Sequence, residues 1–200
     1  MCWNASVSLN TFIFGLVCAI IAAVFGNYNK VFLLIPLSFS LIQLLEYFAW
    51  NNINNEKIIK ILSYIGLFII FTQVFLLNYL LTNGKFRIIL LTIMFSLILL
   101  FLITDFKNVN FTIKKGKNGH LIWYWLDVSI IWIFITIMFY LIPLYYSKYI
   151  YGFYFTLISI IISLYFYFKY KTWGTMWCYM SNIIWVYILL KTLIYKIKYV

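Results

Sequence analysis

Charged side chains are what this sequence has least of. Only 10% of its 200 residues are charged, only four are acidic, and 66% are hydrophobic. Soluble domains carry about 25% charged and roughly 45–50% apolar residues, so that composition and a mean hydropathy of +1.01 exclude a soluble globular fold. Ala, Gly, Pro and Arg are scarce while Ile, Phe, Tyr, Asn and Lys are used heavily. The bias resembles AT-rich coding, and it lowers the weight of any single Asn or Lys. No basic domain stands outside the apolar runs, which excludes a nucleic-acid partner despite the net charge of +11. The opening "MCWNASVSLNTFIFG" has no basic residue before its apolar run and no Ala-x-Ala-type cleavage site, so it reads as a full-length span rather than a removable signal. Runs such as "IILLTIMFSLILLFLI" lack the period-two alternation of a membrane β-barrel.

What is present is a succession of long apolar runs. A helix needs about 20 apolar residues to cross roughly 30 Å of hydrocarbon. Seven stretches qualify: Ala5 to Gly26, Val31 to Trp50, Ile58 to Leu81, Phe86 to Thr104, Leu121 to Pro143, Tyr149 to Phe168 and Trp173 to Tyr195. The expectation is an all-α, polytopic, multi-pass integral membrane protein. It is one seven-transmembrane-helix domain over residues 1–200, with termini on opposite sides. All links but "DFKNVNFTIKKGKNGH" are short, so sequential helices should be antiparallel neighbours. The lipid bilayer is the expected partner, with Lys and Arg at the run ends meeting head groups. Eight basic residues fall on the N-terminal face and seven on the other, a split on which the positive-inside rule is silent. Two sequons, at Asn4 and Asn110, fall on the N-terminal face. Trp3, Trp50, Trp123, Trp125, Trp173 and Trp177 also gather there, more one-sided than an interfacial belt requires, which suggests that some wall a site.

The costly polar residues fall at that same face. Glu46 precedes Trp50 by one turn, about 6 Å inside the second helix, where a carboxylate faces a bundle interior or a wet cavity. Gln43, Glu46 and Trp50 share one side of that helix. His120, Tyr124 and Asp127 form a similar stripe if the fifth helix begins there, and Gly174, Cys178 and Ser181 a third. With Cys2, the sole His, two of three Cys and two of four carboxylates lie within about two turns of one surface. Cys18 lies about 24 Å from Cys2 along a helix and reads as a small core residue.

These residues also carry a resemblance. Cys2, Ala5 and Ser8, then Gln43, Glu46 and Trp50, then Trp177 and Cys178 in "GTMWC" resemble a small family of uncharacterised seven-helix membrane proteins. That family, a domain of unknown function, starts Met-Cys-Phe-Ser-Ala and has a Gln-x-x-Glu second-helix motif and a Leu-Trp-Cys last-helix motif. Here Trp3 replaces Phe, Asn4 replaces Ser and Tyr47 replaces a small residue, and the single His120 stands where the family commonly has paired histidines. The resemblance supports a site at these positions and implies no activity.

Two function classes follow. In the first, an intramembrane metal-dependent hydrolase acts on a lipid or other amphiphile. Cys2, His120 and Cys178 hold zinc, Glu46 is a fourth ligand or the general base, and Asp127 orients the imidazole. Glu46 and Asp127 are then the catalytic candidates, although no zinc-type spacing supports the set. In the second, a non-enzymatic scaffold or carrier of protons or small solutes lines a polar path with Gln43, Glu46, Gln73, Asp127 and Asn182, and Cys2 and Cys178 form a disulfide. A light or ligand receptor is excluded. Lys191 lies too near the far surface for a retinal lysine, and the Asp-Arg-Tyr and Asn-Pro-x-x-Tyr steps are absent.

Overall fold

A computed structural model describes residues 4–27 and 29–199, with side chains described to residue 197. The chain is an all-helical bundle of α1 (Ala5–Phe25), α2 (Leu34–Asn51), α3 (Glu56–Leu81), α4 (Gly84–Thr104), α5 (Ile130–Tyr146), α6 (Ile150–Tyr167), α7 (Trp173–Ser181) and α8 (Ile184–Tyr199). Six helical segments among the described residues are long and apolar enough to cross a membrane, the last being α7 and α8 together over Trp173–Ile197. The apolar α5 is shorter, at 17 residues. Asparagine side chains cap two of the α-helices. Asn4 accepts from the Val7 N–H at 2.9 Å and Asn55 from the Ile58 N–H at 3.2 Å, each satisfying a donor that the first turn leaves open.

Contacts fix an up-and-down order. Gly15 of α1 meets Ser40 of α2, and Gln73 of α3 donates to the Ser38 carbonyl at 3.1 Å. Phe101 of α4 packs edge-on to Trp132 of α5, and Ser163 of α6 donates to the Trp173 carbonyl of α7 at 2.5 Å. The links after α2, α4 and α6 therefore share one end of the bundle with the start of α1. α4 buries only Leu90, Met94 and Phe101 and so presents a largely apolar surface outward.

The fifth expected span begins later than its hydropathy suggests. Leu121–Trp123 is a strand (β2) paired antiparallel with Ile113–Lys115 (β1), in register Ile113–Trp123 and Lys115–Leu121. A 3-10 turn follows over Tyr124–Leu126, and the helix opens only at Ile130. His120, Tyr124 and Asp127 thus share no helical stripe. Gly119, at φ 81°, takes the left-handed conformation of the hairpin turn, where the Gly116 N–H reaches the His120 carbonyl at 2.7 Å. The long link is therefore a folded cap. Its Ile113, Leu121, Trp123 and Trp125 are buried with Ala49, Leu62 and Cys178 in one apolar cluster.

Pro143 shows how the bundle handles a missing donor. Without an N–H it leaves the Phe139 carbonyl with no intrahelical partner, and Asn78 on α3 donates to that carbonyl at 3.0 Å. Asn78→Leu is expected to destabilise the bundle by about 1–2 kcal/mol, the upper range for interhelical hydrogen bonds in membranes. Pro143→Ala restores the donor, so the double variant should recover part of the loss in detergent melting curves. Strict additivity would show that the two residues are not coupled.

Candidate functional site

Glu46 sits at the hairpin end of α2 and is 0% exposed, as is Gln43 one turn deeper. Across from α2 on α7, Cys178 is 1% exposed and packs in the same apolar cluster as Ile42, Leu45 and Ala49, the α2 residues on either side of Glu46. Tyr140 on α5 packs edge-on to Trp177, the residue before Cys178, with centroids 4.7 Å apart. Glu46 and Cys178 are thus both buried where α2 packs on α7.

Local chain geometry makes that meeting place. The seventh apolar run is two helices, broken at Asn182 and Ile183, where i to i+3 bonds replace the α-helical pattern. Asn182 bridges the break: its amide donates to the Cys178 carbonyl at 2.8 Å and its oxygen accepts from Ser40 at 2.8 Å. The Trp185 indole donates to Ser40, also at 2.8 Å. A Cβ on Gly15 would lie 2.4 Å from Ser40 Oγ, so the glycine is what lets α1 close on this junction. The lock holds α1, α2 and α8 in register and presents Cys178 one turn before the break.

From the Gly15–Ser40 contact, two turns back along α1 reach Ser8, and two turns forward along α2 reach Tyr47. Each step is about 10 Å toward the hairpin end, so Ser8 is level with Glu46. Ser8 is 0% exposed, and its hydroxyl has no hydrogen-bond partner among the described residues. The buried indole N–H groups of Trp50, Trp123 and Trp125, all packed in the apolar cluster that includes Cys178, likewise have no acceptor among them. A buried donor without an acceptor costs about 1–3 kcal/mol, which makes this end of the bundle suited to a group rich in acceptor oxygens.

The cap closes the site from outside. Trp123 and Trp125 stack with centroids 5.1 Å apart, and a Cβ on Gly66 of α3 would lie 2.6 Å from the Trp125 ring. Thr175 of α7 donates to the Leu121 carbonyl of β2 at 3.3 Å, and Asn118 in the hairpin turn donates to Thr172 at 2.8 Å. His120, 5% exposed, stands in that turn with its ring edge-on to Tyr167 at 5.8 Å.

The remaining candidates sort unevenly. Asp127 is 44% exposed and accepts from Lys171 at 2.5 Å, so its partner is a lysine rather than an imidazole. The hydrogen bond and charge of Asp127 hold the Lys171 ammonium above the usual lysine range. Gln73 is engaged by Tyr140 at 2.7 Å and by the Ser38 carbonyl, and Asn182 by the helix break; both tie helices together. Cys18 is buried as a small core residue, packed with Ala22 and Trp185. Cys2 lies outside the described residues, and among the described residues no three of His, Cys, Asp and Glu come together as a metal group. Trp123 and Trp125, each 1% exposed, are core residues rather than members of an interfacial belt, and Trp185, at 0%, is core as its depth implies. Sequence reasoning missed the hairpin, and it reached Ser8 only through the resemblance. Asn118-Gly119 between two apolar-ended segments was the available signal for the hairpin; none marked Ser8 as unpartnered.

No protein-family model, curated protein or solved structure matches the chain.

Proposed function

We propose that the chain is a multi-pass integral membrane protein crossing the bilayer seven times, with termini on opposite faces. We further propose that its hairpin end houses a hydrolase centre for a lipid or other amphiphile. The carrying observation is the complete burial of the Glu46 carboxylate at the α2–α7 packing that also buries Cys178. An ionisable group at membrane depth is expensive, and its retention marks function by default. The resemblance at Gln43, Glu46, Trp50, Trp177 and Cys178 falls on the same residues. In this reading Glu46 takes a proton from water as the resulting hydroxide adds to an acyl or phosphoryl centre. The indole N–H groups of Trp50, Trp123 and Trp125 stabilise the oxygen on which charge develops, and Glu46 returns the proton to the departing alkoxide. Zinc held by Cys2, His120 and Cys178 would lower the pKa of that water toward 7.

Elemental analysis and a thiol count on the purified chain test the reading together. About one zinc per chain and reactive thiols that metal protects are expected. A metal-free protein with a Cys2–Cys178 disulfide would hand the site to the scaffold or carrier reading instead. Reporter tags at the two ends should face opposite sides, and co-facial tags would refute seven crossings.

A further inference from the structure

A cavity opens toward the end of the bundle opposite the hairpin, with Lys191 at its far end. About 420 Å³ in volume, it lies among α2, α3, α5, α6, α7 and α8, within the ~300–1,000 Å³ range of small-molecule pockets. Its inner wall is an aromatic layer in which Phe39, Tyr140 and Trp177 meet pairwise at centroid distances of 5.8, 5.9 and 4.7 Å. Leu77, Leu144 and Ile188 line its length, and Lys191 stands exposed at its outer end. From Trp177 to Lys191 is about 20 Å along the helix axis, more than half the ~30 Å hydrocarbon thickness.

The lining argues for hydrocarbon rather than water. Tyr140 donates its hydroxyl proton to Gln73, Ser147 to the Leu144 carbonyl and Ser181 to the Trp177 carbonyl, so these hydroxyls spend their donors within the fold. A water needs about two to four polar partners to be held. The charge at the mouth argues for an anion. Lys30, Lys85, Arg87, Lys148, Lys191, Lys196 and Lys198 all lie at this end, whereas all four acidic residues, Glu46, Glu56, Asp105 and Asp127, lie at the hairpin end. We propose that this cavity holds one acyl chain of an anionic membrane phospholipid, with the phosphate of its head group at Lys191.

Native mass spectrometry of the detergent-purified full chain tests this, titrating phosphatidylglycerol against phosphatidylcholine of matched chain length. One lysine near an anionic head group is worth about 1 kcal/mol, roughly fivefold in affinity. The wild type should therefore prefer phosphatidylglycerol by about fivefold or more. Lys191→Gln should erase the preference while Lys191→Arg retains it, and Thr156→Phe or Leu77→Phe, which fill the cavity, should weaken binding of both lipids. Equal affinity of the wild type for the two lipids would overturn the proposal. So would an unchanged preference in Lys191→Gln, or wild-type binding by well-folded variants of both filling positions.

Discussion

Glu46→Gln is expected to leave the bundle folded, with an unchanged or slightly raised melting temperature in detergent, and to lower hydrolysis of a fluorogenic acyl-ester amphiphile by about 10²–10⁴-fold. The two side chains have the same shape, and the site is fully buried, so the α2–α7 packing survives. What is lost is the carboxylate's ability to take a proton and to bear charge beside a metal. Glu46→Leu separates the readings further. A carboxylate that only joins helices is replaceable at well under about 1 kcal/mol on average, so in the structural reading Leu is tolerated and no other property changes. In the catalytic reading Leu abolishes turnover, and zinc retention falls in both variants where Glu46 is a ligand. Wild-type turnover in Glu46→Gln would reduce the residue to a structural contact.

How far the sequence displayed this arrangement depends on which physical signal each part left in it. The apolar runs were legible because membrane-length helices require a composition that nothing soluble tolerates; five of the seven runs coincide with single long helices and a sixth with α7 and α8 together. Glu46 and Cys178 were legible for the converse reason: a carboxylate and a thiol one or two turns inside an apolar run stand out. The fifth run misled because Leu121, Ile122 and Trp123 are as apolar in a buried strand as in a helix. Only the Asn118-Gly119 turn distinguished the two. The break at Asn182 left no strong mark either, since it arises from a tertiary bond to Ser40 on α2, 142 residues away in sequence. Asp127 was misplaced by the same helical assumption. Once residues 121–129 are hairpin and turns, Asp127 faces outward to Lys171.

Gly66→Leu is expected to abolish activity by about 10²-fold or more while leaving most of the bundle's helicity intact. The position is in the middle of α3, where a Cβ alone would approach Trp125 to 2.6 Å and its neighbouring ring atoms to 3.1 and 3.3 Å. The contact is with a rigid indole buried at 1% exposure and stacked on Trp123, so it has no flexible end to move aside. Overpacking of this kind costs about 1–3 kcal/mol. The strain is relieved most easily at the hairpin, whose core contribution comes from the short strands Ile113–Lys115 and Leu121–Trp123 and the turn after them. Lifting Trp125 also lifts Trp123 and loosens the Leu121–Thr175 bond to α7, opening the cover over Glu46 and Cys178. A displacement of about 1 Å in a site can cost 10²-fold in rate, and water entering beside Glu46 weakens every electrostatic interaction there. Thiol labelling reads the event without any substrate: Cys178, buried in the wild type, should react with a membrane-impermeant maleimide in Gly66→Leu, whereas Cys18, shielded by α2 and α8, should not. Trp125→Ala removes the clash but leaves its own gap under the hairpin, so in the Gly66→Leu background it should not restore the cover. If Gly66→Leu keeps Cys178 unreactive and turnover normal, the hairpin is not the lid of this site.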